Sequence, residues 1–333
     1  MFESSRPDQF FNSSSLQRCF MLSSLRHHFR FSRTLASILV LIVMAGCSSL
    51  DMLNAVTGKP NVAPVTLGYG ASPRQRIDIY SYQVPGKAND GLVNPVSAAR
   101  AADEPKLKPV VIFFYGGSWT YGSRQDYSFV AKAFLDQGYV VAIPDYRLSP
   151  EVTYPVFLQD SAAAVKKVID TAREFGGDPD RIVLMGHSAG AYNAAMVAMD
   201  KRLLSDSDRR HIRGVIGLAS PVNFLPIQLP EARVAFNWPN TPQDSQPIEH
   251  VSSDSPPMLL MIAPHDRLVD PVINSEQLAK KLQNAGVYVR LEQYELPLRL
   301  INHTSLVGTL SPSFQFAAPT MAHAREFLER VTR

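Results

Sequence analysis

Cysteine is almost absent from this chain of 333 residues. The only two are Cys19 and Cys47, so no disulfide can staple the body of the protein beyond residue 47. No internal repeat or heptad pattern runs through the sequence, which sets aside solenoids and coiled coils. It has no phosphate-loop signature and no Cys/His cluster at metal-ligand spacing. Excess charge is also missing. The formal net charge is +3, too small to point to nucleic acid, and several basic residues lie in an N-terminal segment expected to be removed. The whole chain is 45% hydrophobic and 19% charged, the balance of a globular protein with a sizeable core. The length suits one large domain or two ordinary ones.

The N-terminus reads as a targeting segment. Arg26, Arg30 and Arg33 precede an apolar run of twelve residues, Leu35 to Gly46, short for a membrane span of about 20. Met44-Ala45-Gly46-Cys47-Ser48 resembles the bacterial lipoprotein cleavage box, with Met44 where Leu, Val or Ile is usual. The resemblance implies a signal peptide over 1–46, with Met21 as an alternative start. Cys47 would be the lipidated first residue, carrying acyl chains such as palmitate, and several chains on one Cys satisfy the need for more than one anchor. Ser48 stands where an Asp would resemble an inner-membrane retention signal. The expected location is therefore the bacterial cell envelope, at the outer membrane. The alternative is an uncleaved N-terminal anchor.

Residues 47–64, with Gly58, Pro60 and Pro64, read as a tether. From residue 65 to 333, strands and helices alternate. Gln75–Ser81 alternates polar and apolar, as in an antiparallel edge region. Gly86–Lys108 reads as an exposed insertion. Buried strands are expected at Pro109–Phe114 and Arg181–Met185, and further strands at Tyr139–Ile143, Arg213–Ala219, Met258–Ala263 and Val287–Tyr294. Helices are expected at Tyr127–Gln137, Pro155–Phe175, Ala191–Met199, Pro271–Ala285 and Pro319–Val331. This rhythm argues an α/β fold with a mainly parallel, doubly wound sheet and helices on both faces. Ligands bind such sheets beyond the carboxyl ends of the strands. Residues 221–257 interrupt the rhythm with Phe224, Leu225, Leu229, Phe236 and Trp238 among prolines. Two readings stand side by side: a cap over the pocket, or a surface excursion packing its own aromatics.

Gly186-His187-Ser188-Ala189-Gly190 reads G-x-S-x-G, between an apolar β-branched run and an Ala/Met-rich helix former. A Ser on that turn is lifted out of the sheet, and the new helix points N–H groups at a developing anion. Phe114-Tyr115-Gly116-Gly117-Ser118-Trp119 follows another strand. Its Gly pair lets backbone N–H groups face a cavity, and an acyl-transfer oxyanion needs such donors. The expected donors are the N–H groups of Gly117, Ser118 and Ala189.

These motifs, with Asp145-Tyr146-Arg147-Leu148 and Gly-Gly-Asp-Pro-Asp-Arg before the elbow, resemble the α/β-hydrolase esterases. They are most similar to the carboxylesterases with an H-G-G-x-W loop, a branch that includes feruloyl-esterase-like, kynurenine-formamidase-like and hormone-sensitive-lipase-like enzymes. The resemblance covers about Val65 to Val331 and implies the α/β-hydrolase fold and a serine hydrolase using neither metal nor organic cofactor. Tyr115 stands where these relatives usually carry a loop-bracing His. Tyr can also donate a hydrogen bond, so the departure bears on loop geometry, rate and substrate choice.

Ser188 needs a base, and chain order in this fold is Ser, acid, His. His211, His250, His265, His303 and His323 follow the elbow. The resemblance favours His303, in Asn302-His303-Thr304-Ser305 after the Val287 strand. Asp266, in a turn resembling Asp-x-x-Val, is the expected acid. Asp270 is the runner-up, with helix capping as its other role. Asp145 and Arg147 are expected to brace their loop, or Arg147 to meet an acidic substrate group. Trp119 and Tyr121 either line the pocket or pack in the core.

The expectation is therefore a lipid-anchored serine carboxylesterase acting on a small-molecule ester through Ser188, His303 and Asp266. Amidase, formamidase or peptidase chemistry on the same machinery is the second reading. A non-catalytic envelope binding protein is the third.

Overall fold

The computed structural model describes residues 49–83 and 106–333. The targeting segment, Cys47 and nearly all of the expected insertion lie outside the described residues. Among the described residues, no helix is long and apolar enough to cross a membrane.

An eight-stranded sheet carries the fold. Its strands are β1 (Val65–Gly68), β2 (Arg76–Tyr80), β3 (Lys108–Phe114), β4 (Val140–Pro144), β5 (Gly177–His187), β6 (Ile212–Leu218), β7 (Met258–Ile262) and β8 (Val289–Gln293). They lie in the order β1-β2-β4-β3-β5-β6-β7-β8. The first two pairings, β1 with β2 and β2 with β4, are antiparallel, and the other five are parallel. The interior strands are continuous apolar runs because helices cover both faces. Every residue of β4 and β7 is buried, as is β3 from Val110 onward.

The helices are α1 (Ser49–Thr57), α2 (Ser128–Leu135), α3 (Val156–Thr171), α4 (Ala189–Met199), α5 (Asp206–Arg209), α6 (Pro230–Ala235), α7 (Gln277–Asn284), α8 (His303–Gly308) and α9 (Thr320–Val331). A π-helical turn, Val272–Glu276, precedes α7. All eleven residues of α4 are buried. Its alanines carry no side-chain entropy cost and favour the helix, and their small side chains let it lie close against the sheet.

Some local expectations hold and others change. β2 is antiparallel to both neighbours near one edge of the sheet, as expected, and within it Asp78 is buried. Its carboxylate is paired with Arg124 at 2.9 Å and accepts from Thr66 Oγ1 at 2.6 Å. Within the stretch expected to be a tether, α1 is helical. Its Asn54 Oδ1 accepts from Phe129 N at 3.0 Å and Ser128 Oγ at 2.7 Å, while Nδ2 donates to Asp126 O at 2.8 Å. Asn54 thus caps the start of α2 from a distant point in the chain.

The 221–257 excursion holds α6 and packs its aromatics onto the body. Phe224 and Phe236 meet Trp119 at ring-centroid distances of 5.9 and 4.7 Å, and Tyr192 at 5.8 and 5.3 Å. Tyr192 also donates to Ser245 O at 2.7 Å. The excursion is thereby fixed to the two segments that follow the Gly-Gly loop and the G-x-S-x-G turn.

Candidate active site

The parallel strands deliver their carboxyl ends to one edge, and the site assembles there. Ser188 directly follows β5. Phe114 pairs with Gly186 and Leu218 with His187, so the loops after β3 and β6 flank the turn. Ser188 has φ 54° and ψ −125°, a conformation that L residues hold only under constraint from their surroundings. The flanking glycines are demanded by close approach. A Cβ on Gly186 would stand 2.3 Å from Gly190 C, and one on Gly190 would stand 2.0 Å from Phe114 O.

His303 lies between the other two expected partners. Its Nε2 is 2.8 Å from Ser188 Oγ, and its Nδ1 is 2.7 Å from Asp266 Oδ2. Carboxylates only accept, so Nδ1 carries the proton and Ser188 donates to Nε2. Asp266 Oδ1 accepts from Leu268 N at 2.8 Å and Val269 N at 3.0 Å. Burial alone would raise the Asp266 carboxyl. The hydrogen bond and charge of His303, with those two N–H groups, outweigh it and hold the carboxyl below its usual range.

His303 is the first residue of α8 rather than a loop residue. Asn302 caps the helix, accepting from Thr304 N and Ser305 N at 3.0 and 3.1 Å, while Ser305 Oγ accepts from Asn302 N at 2.9 Å. This reciprocal cap fixes where the imidazole starts.

The other four histidines that follow the elbow are engaged elsewhere. His211 lies 2.9 Å from Asp180, and His250 bonds Asp244 O at 2.6 Å. His265 meets Glu295 at 3.0 Å, and His323 meets Tyr294 Oη at 2.7 Å. Asp270 Oδ1 accepts from Val272 N at 2.8 Å, the capping role.

Among the described residues, the N–H groups of Gly117, Ser118 and Ala189 donate to no protein acceptor. Ser118 and Trp119 sit at φ 49° and 61°, so the loop is held in a strained path. Tyr115 braces it from below. Fully buried, its hydroxyl donates to Asp145 Oδ1 at 2.9 Å and accepts from Arg74 Nη2 at 2.7 Å. Its carbonyl accepts from Tyr146 Oη at 2.9 Å, and the Tyr115 and Tyr146 rings stack at 4.9 Å. Burial first, then nearby Tyr146 and Asp145, push the Tyr115 hydroxyl well above its ordinary value, so it stays a donor. Asp145 also accepts from Arg124 N at 2.8 Å and pairs with its guanidinium. Arg147 makes a bidentate pair with Asp160, at 2.8 and 2.7 Å. Both residues act as braces.

Trp119 is 3% exposed and donates to Asn193 Oδ1 at 3.0 Å, which makes it part of the aromatic core. Tyr121, in contrast, is 64% exposed. The sequence reading missed Arg74, Arg124 and the cap at Asn302. Only the cap had a signal, an Asn followed three residues later by a Ser that can bond back.

Strand order, the positive-φ Ser after β5 and the surrounding loops define the α/β-hydrolase fold. Solved structures agree. An esterase from Thermogutta terrifontis superposes with a TM-score of 0.62 at 20% identity, covering 82% of this chain and 94% of that one. The metagenomic carboxylesterase EstE1 gives 0.60 at 22%, covering 85% and 93%. Within that fold, the chain belongs to the BD-FAE family, whose sequence pattern matches residues 99–282, more than half its length. The match includes Ser188 and Asp266 and ends before His303. Carboxylesterase NlhH of Mycobacterium tuberculosis is 44% identical over 92 residues, 27% of this chain and 28% of that protein. Isoprenylcysteine alpha-carbonyl methylesterase ICME of Arabidopsis thaliana is 35% identical over 133 residues, 40% and 27%. The chain spans about half or less of the length of the curated relatives it matches.

Proposed function

We propose that this protein is a serine carboxylesterase acting on small-molecule esters. The observation that carries the reading is the continuous pair of hydrogen bonds from Ser188 through His303 to Asp266, 2.8 and 2.7 Å long. Similarity to proteins named as esterases supports it.

In this reading, Ser188 Oγ attacks the ester carbonyl carbon while His303 Nε2 takes its proton. The oxyanion is met by the N–H groups of Gly117, Ser118 and Ala189. Each such donor is worth about 3–4 kcal/mol of transition-state stabilisation. Asp266 holds the tautomer and offsets the imidazolium charge. The C–O bond to the leaving alcohol breaks, and His303 returns the proton to that oxygen. Water, deprotonated by His303, then attacks the acyl-enzyme. The acid is released and the proton returns to Ser188 Oγ.

The proposal extends to location, with the chain held at the bacterial envelope by lipid on Cys47. Residues 44–48 support this. Mass spectrometry of the N-terminal peptide, with Cys47→Ala as control, tests it.

For the chemistry, the test is fluorophosphonate labelling together with hydrolysis of p-nitrophenyl esters from acetate to decanoate. Both should occur in the purified protein and vanish in Ser188→Ala. A folded wild-type protein that neither labels nor turns over would overturn the reading.

A further inference from the structure

Ser188 and His187 are neighbours on the same turn, and both grip His303. Ser188 bonds the imidazole. His187 Nε2 lies 2.8 Å from the His303 carbonyl oxygen. A carbonyl only accepts, so His187 Nε2 carries the proton and its Nδ1 bears the lone pair. That Nδ1 is buried and has no hydrogen-bond partner among the described residues. It faces Gly116, where an added Cβ would stand 3.0 Å away. A side chain there only to fill space would be better apolar, since it would leave no buried acceptor unpaired. The donated bond to His303 is what an apolar residue could not supply.

We infer that His187 is a positioning residue for the ester hydrolysis proposed above, fixing the main chain of His303 through its Nε2–H. The base is then held at three points: its carbonyl by His187, Nδ1 by Asp266 and Nε2 by Ser188. Proton transfer needs the imidazole held at hydrogen-bond distance from Ser188 Oγ, here 2.8 Å. The Asn302 cap and the buried Leu306 and Val307 seat α8, and the His187 bond fixes the carbonyl of the base itself, so that its loss misplaces the imidazole and slows chemistry without touching substrate.

The two imidazoles are 5.1 Å apart, so a charged His187 would oppose the imidazolium that forms on His303. Burial first, and the neighbouring His303 second, push His187 down to about 3. It therefore stays neutral while His303 cycles.

Three substitutions separate this role from simple packing. In Gln, the Nε2 donor is as many bonds from Cβ as in His. In Asn, the donor falls at the Nδ1 position, and Leu has none. His187→Leu and His187→Asn should lower kcat roughly 10- to 100-fold while KM changes by less than about twofold. His187→Gln should recover kcat to within about threefold of wild type. The rising limb of kcat/KM with pH, which reports the base, should move in the Leu and Asn variants and not in Gln. Thermal melts identify any variant that does not fold, and the Gln and Asn pair then carries the test. Wild-type kcat in folded His187→Leu, or a folded Gln variant no faster than Asn, would overturn the inference and leave the esterase reading intact. A wild-type protein that neither labels nor turns over would overturn the esterase reading and this inference together.

Discussion

Replacing Tyr115 by Phe removes one oxygen from beneath the Gly-Gly loop, which carries two of the proposed oxyanion donors, and leaves the ring stacked on Tyr146. The lost oxygen joins Asp145 at 2.9 Å to Arg74 at 2.7 Å. Neither charge is stranded. Asp145 keeps the Arg124 N–H and guanidinium, and Arg74 keeps Gly122 O at 2.8 Å and Tyr146 O at 3.0 Å. Hydrogen bonds to charged groups are worth about 1.5–3 kcal/mol net. A loss of about 2 kcal/mol in unfolding free energy is expected, which is a melting shift of roughly 4–8 °C for a domain of this size. Gly117 and Ser118 lie two and three residues further on, so their N–H groups shift with the loop. Losing a third of one donor's worth costs about tenfold in kcat. Urea denaturation and p-nitrophenyl butyrate kinetics on wild type and Tyr115→Phe read both numbers. A stability change below about 0.5 kcal/mol with unchanged kcat would refute the bracing argument.

Four further outcomes follow from the same contacts. Asp266→Asn should keep the fold and lower kcat by about 10³- to 10⁴-fold, because the amide favours the wrong His303 tautomer; steady-state kinetics check it. Wild-type stability should fall as pH drops from about 6.5 toward 3, since the unfolded chain protonates His187 first, with His303 and Asp266 facing it. That contribution is complete above about 6.5 and amounts to at most about 5 kcal/mol, so a denaturation midpoint for His187→Gln falling as steeply as wild type would contradict it. Gly190→Ala should destabilise by about 3 kcal/mol or more, as its Cβ would meet the Phe114 carbonyl, visible as a lowered melt or loss of soluble protein. Asn54→Ala should cost about 1–2 kcal/mol and expose α1 to limited proteolysis, because it uncaps α2.

The sheet is legible because most of its strands are buried on both faces and leave unbroken apolar runs, and seven of the eight are expected to within a few residues. Val65–Gly68 escaped notice. Four residues at an edge carry too little pattern to separate from a linker. The long start of β5 extends beyond the expected Arg181–Met185, because Gly177-Asp178-Pro179 has turn chemistry while its pairing with Lys108 is tertiary. The burial of Asp78 has no signal in the sequence for a similar reason, its partner Arg124 being remote in the chain. At the site, Ser188, Asp266 and His303 could be singled out because chain order and local motif narrow the choice. His187 could not. It bonds a main-chain carbonyl, and a carbonyl leaves no residue type for a pattern to detect. Trp119 illustrates the opposite difficulty, an aromatic beside a motif whose neighbours come from a segment a hundred residues away.

The position of α8 has a consequence for how the protein is made. Synthesis runs from the N-terminus, so the Gly-Gly loop, Ser188 and Asp266 emerge in that order. The proposed base comes last, 115 residues behind Ser188, and only after β8 has been added beside β7. A growing chain can therefore form the elbow long before it can activate it. Under the proposed function, ester cleavage therefore waits on the arrival of residue 303, and chain order alone sets that timing.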